Sequence, residues 1–169
     1  MSFSSLFAAM VPVSCGLLGA ILANMPVSLS GGAIPPPLLA FMPVYFWCLV
    51  RPDLMPPAAA FVVGLAQDLL SGGPPGLWTA SFIATYALLD RQRESFAALA
   101  GIGAILGFAL AMLVVSGAAY LIGWFYFGRL PPLTPLVLQL AVSVVCYIPV
   151  LPVLNGIQHR IVGPLRSEF

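Results

Sequence analysis

The stretch Gly64-Leu-Ala-Gln-Asp68-Leu-Leu-Ser-Gly-Gly-Pro-Pro-Gly-Leu77 sets a single carboxylate between two apolar runs and then breaks the chain. Ser71 to Gly76 cannot continue a helix, because proline has no N–H to donate and the glycines favour turn conformations. The apolar run before the break reaches back to Leu54, and the run after it extends to Leu89. A membrane span needs about 20 apolar residues to cross a hydrocarbon core of about 30 Å, and neither run has that length. Residues 54–89 are therefore either two short crossings or a re-entrant hairpin that turns within the bilayer. Both readings start and finish on the same side.

Working outward, the rest of the chain demands lipid. Of 169 residues, 61% are hydrophobic and 7% charged, against about a quarter charged in soluble domains. Six arginines, five acidic residues and one histidine cannot coat a particle of this size. The sequence predicts a single all-α domain over residues 1–169, a polytopic membrane helical bundle of six transmembrane helices. The spans fall at about 6–27, 34–50, 54–70, 76–89, 95–128 and 134–156, the fifth longer than an upright crossing requires. Residues 1–10 carry no charge, so Leu6 to Ala23 lacks the basic start of a signal peptide and reads as a retained first span. The turn-prone Ser28 to Ala33 follows it.

Charge placement orients the bundle. With the N-terminus inside, Arg51, Arg91, Arg93, Arg160 and Arg166 are cytoplasmic and only Arg129 is outside, as retention of positive charge during insertion requires. Both termini are then cytoplasmic. Trp47, Trp78, Trp124 and Tyr126 lie near span ends, where amphipathic rings favour the headgroup level. A net charge of +1 provides no field for nucleic acid.

Asp68 is the residue most in need of a reason, since a carboxylate in hydrocarbon costs several kcal/mol unless paired, protonated or solvated. Two readings stand: it stabilises the turn by accepting N–H groups from the following Ser-Gly-Gly, or it contacts a ligand, proton or partner. Gln67 points about 100° away on a helix, so one of the two side chains is expected to face the interior. Gly64, one turn before Asp68, allows a neighbouring helix or ligand to approach closely. Gly103 and Gly107 form a GxxxG pair, and Gly16 with Ala20 a small-xxx-small pair, both candidates for helix packing.

Catalytic material is scarce. His159 stands alone in a juxtamembrane tail read as solvated, and Cys15, Cys48 and Cys146 have no metal-ligand or disulfide spacing. No nucleotide-binding glycine pattern occurs, so no enzyme activity, cofactor or metal is expected.

The residues Arg51-Pro52, Phe61, Gly64-Leu65, Gln67-Asp68-Leu69-Leu70, Gly72-Gly73-Pro74 and Gly76-Leu77, followed by a basic loop at Arg91 and Arg93, resemble the rod shape-determining protein MreD family. The resemblance covers about a quarter of the chain. It implies a non-enzymatic scaffold of the bacterial cell-elongation complex in the cytoplasmic (inner) membrane, supporting peptidoglycan synthesis for cell shape. The implied partners are MreC first, then MreB, RodA and its paired penicillin-binding transpeptidase, with membrane lipid around the bundle. It marks Arg51, Pro52, Gly64, Gln67, Asp68, Gly72, Gly73, Pro74 and Gly76 as interaction candidates. The family is also similar in architecture to the substrate-binding subunits of energy-coupling-factor transporters. That likeness supplies the alternative of a small-molecule or lipid-binding membrane subunit.

Overall fold

A computed structural model describes residues 3–25, 35–97 and 102–162, and among them every regular element is helical. The described residues form seven α-helices: α1 (Phe3–Ala23), α2 (Phe41–Val50), α3 (Pro57–Ser71), α4 (Leu77–Arg91), α5 (Arg93–Ala97), α6 (Ile102–Phe127) and α7 (Leu133–Ile157). A π-helical turn, Gln158–Val162, extends α7. The expected turn Ser28 to Ala33 and the tail beyond Val162 lie outside the described residues.

Proline and glycine explain the boundaries. Pro35-Pro36-Pro37 holds the chain extended, so α2 begins only at Phe41 and has 10 residues, with Pro43 in the first turn where its missing N–H costs nothing. Span 34–50 is therefore corrected: a helix of 10 residues rises about 15 Å, half of a hydrocarbon core. Pro57 starts α3, and Gly72, in the left-handed region at φ 64°, ends it. Within the expected span 95–128 the described residues form α5 and α6, and residues 98–101 lie outside the described set. Gly128, at φ 65°, ends α6 and donates its N–H to the Trp124 carbonyl at 2.9 Å.

The short α2 is the axis of the bundle, with every side chain from Phe41 to Cys48 buried. It packs against α1, α4, α5 and α7. One aromatic cluster joins four helices: Phe41 and Tyr45 of α2, Phe82 of α4, Phe108 of α6 and Tyr147 of α7. Phe108 and Tyr147 stack at 3.9 Å with 15° between planes, and Tyr45 meets Phe108 edge-on at 5.3 Å, both favoured ring geometries. In the non-helical segment before α2, Leu38 and Ala40 are buried as well. Leu38 donates its N–H to Ser143 Oγ of α7 at 2.9 Å, which satisfies a backbone group that lipid could not.

Trp47, expected at headgroup level, is instead fully buried and donates Nε1–H to Gln158 Oε1 at 2.9 Å. This bond ties the end of α2 to the end of α7, while α5 packs on α2 nearby. Arg51 with Asp53, the run Asp90 to Glu94, and Arg160 thus gather at one end of the bundle. At the opposite end Gly123 lies beside Pro131 and Leu77, so the α3–α4 and α6–α7 turns share that end. Helices α6 and α7 are long and apolar enough to cross a membrane. Their outward faces carry Leu106, Leu110, Leu113, Val137, Val145 and Ile148 exposed.

Candidate functional site: a carboxylate-capped helical hairpin

Helices α3 and α4 form the most extensive helix pair in the bundle. Gly64 makes this possible: a Cβ there would stand 2.8 Å from Thr79 Cα, so only a glycine lets the two backbones come this close. Close helix packing is thus its role. One turn on, Asp68 faces the start of α4.

The Asp68 carboxylate is 4% exposed as a residue and fully engaged. Its Oδ1 accepts the Trp78 N–H at 2.7 Å, and its Oδ2 accepts the Gly76 N–H at 3.0 Å, the Thr79 N–H at 3.0 Å and the Thr79 hydroxyl at 2.5 Å. The remaining free N–H of this helix start, Leu77, donates to the Pro74 carbonyl at 3.2 Å. Every N–H that α4 leaves without an intrahelical acceptor therefore has a partner. A residue at the N-cap normally supplies this acceptor, but Gly76 has no side chain, and Asp68 performs the task from the preceding helix. Burying a carboxylate and burying a helix start are each costly, and here each offsets the other, aided by the helix dipole.

Of the two readings of Asp68, the geometry carries the turn-stabilising one, with a changed set of donors. The N–H groups come from Gly76, Trp78 and Thr79 rather than from Ser-Gly-Gly. Ser71 instead donates its hydroxyl to the Asp68 carbonyl at 3.2 Å. The expectation that only one of Gln67 and Asp68 turns inward is also corrected, because Gln67 is equally buried. Its Oε1 has no hydrogen-bond partner among the described residues.

Gly76, at φ 91°, and Gly72 hold left-handed conformations that a side chain resists, whereas Gly73 does not. Pro74 contributes its carbonyl to Leu77. Gly16 packs intramolecularly, where an added Cβ would meet Val63 Cγ2 at 2.7 Å, and Ala20 beside it is fully buried. Gly103 and Gly107 both lie in α6, with Gly107 buried.

No family model matches the chain, and neither a curated protein nor a solved structure does. The site is therefore read from its own chemistry.

Arg51 and Pro52 stand apart from the hairpin, at the charged end. The Arg51 guanidinium donates Nε–H to Asp53 Oδ1 at 2.9 Å and Nη2–H to Oδ2 at 2.8 Å. Its hydrogen bond holds the Asp53 carboxyl below its ordinary range, and the same contact raises the arginine. The Tyr86 hydroxyl donates to the Met55 carbonyl at 2.8 Å, fastening α4 to this loop. The motif thus separates into a hairpin set, Gly64 to Gly76, and a loop set, Arg51 and Pro52. Sequence reading missed Thr79, the closest partner of Asp68, and Gly19, where a Cβ would meet the Leu39 carbonyl at 2.7 Å. For Thr79 the signal was present: a threonine in the first turn of a helix whose own cap position is glycine.

Proposed function

We propose that this chain is a multi-pass protein of the bacterial cytoplasmic membrane, with six membrane-inserted helical segments and both ends in the cytoplasm. In this reading it is an MreD-like, non-enzymatic scaffold of the cell-elongation complex. It holds the membrane helix of MreC and through it supports MreB, RodA and the paired transpeptidase. The supporting observation is the convergence of the family-like residues Gly64, Asp68, Gly72 and Gly76 on one hairpin, each meeting a distinct geometric demand. The apolar exterior supports membrane insertion, and the collection of charge at one end supports the orientation.

The rival reading, a ligand-binding subunit with Asp68 and Gln67 at its pocket, draws less support because both Asp68 oxygens are committed to α4. The scaffold reading is tested by producing the chain with MreC in native membranes, then copurifying and mapping contacts by site-directed crosslinking. A stable complex with crosslinks along one helix face is expected. A chain that stays alone overturns the partner assignment.

A further inference from the structure

The end of α7 carries a feature that the scaffold reading does not use. Val153, Gly156, Ile157, Arg160 and Ile161 line a groove of about 310 Å³ on the outside of the bundle. Its floor is apolar, with Val153 and Ile161 exposed, and nothing lies within 4 Å of where a Gly156 Cβ would stand. Arg160 is exposed at the charged end of the groove and makes no ion pair or hydrogen bond among the described residues. Its direction is set, not incidental. Gln158 is drawn inward by Trp47, and a residue two positions further along a helix faces nearly the opposite way.

We propose that this groove binds an anionic phospholipid of the inner leaflet, with the phosphate headgroup on Arg160 and an acyl chain along Val153, Gly156 and Ile157. Charge complementarity identifies the occupant. A guanidinium with no partner among the described residues, at the charged end of an otherwise apolar groove, matches a ligand with an anion at one end and a hydrocarbon chain at the other. A purely apolar partner helix would fill the floor and leave the cation unmatched. The site rests on the membrane reading of the chain and on Arg160 lying at the cytoplasmic level.

The test uses the full chain in nanodiscs of phosphatidylcholine doped with phosphatidylglycerol, with bound lipid counted by native mass spectrometry. Arg160→Gln is expected to reduce retained phosphatidylglycerol about fivefold, the contribution of one interfacial cation. Arg160→Lys keeps most of it. Gly156→Leu fills the groove without a clash and reduces retention in a protein that stays monodisperse and as heat-stable as the parent. Arg129→Gln, at the opposite end, changes nothing. Equal retention by the parent, Arg160→Gln and Gly156→Leu overturns the site, as does a crosslink from Gly156→Cys to a protein helix with lipid retention unchanged. A chain that enters no nanodisc overturns the membrane reading and the site with it, which separates that failure from loss of the lipid alone.

Discussion

At the residue scale, Asp68 shows how a charge is made compatible with an apolar surrounding: it is placed where backbone donors are already unsatisfied. Asp68→Ala strips acceptors from the Gly76, Trp78 and Thr79 N–H groups at once, and is expected to cost about 2–4 kcal/mol, a lost cap plus buried orphan donors. Asp68→Asn can keep an oxygen where Oδ2 stands and so retain the Gly76 and Thr79 bonds, with about half the loss. Thermal unfolding in detergent should rank parent, Asn and Ala in that order; equal stability of all three would show that the cap contributes nothing. Gly64→Ala acts on the same contact from the other side. Its methyl group would meet Thr79 Cα at 2.8 Å, and the overpacking is expected to cost about 1–3 kcal/mol. Because both changes move α4 off α3, the double variant should lose less than the sum of the single losses. Additive losses would mean that close approach and capping are independent.

At the element scale, the α3–α4 turn separates its glycines by conformation. Gly72→Ala and Gly76→Ala meet no neighbour, so their expected cost of about 1–2 kcal/mol each is the left-handed backbone alone. Gly73→Ala should be neutral within about 0.5 kcal/mol, since it needs no such backbone. Denaturation midpoints of the three variants check this contrast. The loop from α2 to α3 has a different sensitivity. Asp53 has its carboxyl lowered by Arg51, so the pair's contribution is complete above the ordinary value of 3.8 and is lost as pH falls through the lower folded value. Asp53→Asn should lower stability at neutral pH and flatten the acid limb below pH 3.8, so that parent and variant converge in acid; an unaltered acid limb would remove the pair from the account. These elements also mark what was legible in the sequence. The hairpin, its turn and the close approach at Gly64 follow from local chemistry, because glycine, proline and a lone acid each permit few conformations. The shortness of α2 was less legible. Hydropathy registers Pro35 to Val50 as one apolar run and is blind to Ser143, 105 residues from Leu38, which supplies the hydrogen bond that lets the non-helical Leu38 be buried. Trp47 was misplaced for the same reason, since its partner Gln158 lies 111 residues away.

At the scale of the whole molecule, the arrangement is a buried short helix wrapped by longer ones, with apolar side chains both inside and outside. Lipid tails are as apolar as leucine, so in a bilayer burial gives little net drive to assemble such a bundle. Specificity must come from contacts that lipid cannot replace: the Asp68 cap, the Ser143 and Gln158 bonds across long sequence distances, close approach at Gly16, Gly19 and Gly64, and the edge-on rings around Tyr45. The same geometry bears on the depth of the hairpin. Helices α3 and α4 have 15 residues each, about 22 Å of rise, so the Ser71–Gly76 turn reaches water only if the bilayer thins or the loop after α2 sits below the interface. Cysteine labelling separates the cases. In a chain with Cys15, Cys48 and Cys146 replaced by alanine, Asp53→Cys and Gln92→Cys are expected to resist a membrane-impermeant maleimide in intact cells and to react after permeabilisation, while Leu130→Cys reacts from outside. Gly73→Cys then reports depth. Reaction from outside makes α3 and α4 two short crossings, and resistance on both sides, with Leu130→Cys still reactive, makes them a hairpin sunk in the membrane. Reaction of Asp53→Cys in intact cells would invert the orientation, and with it the match between the charged end of the bundle and the cytoplasm.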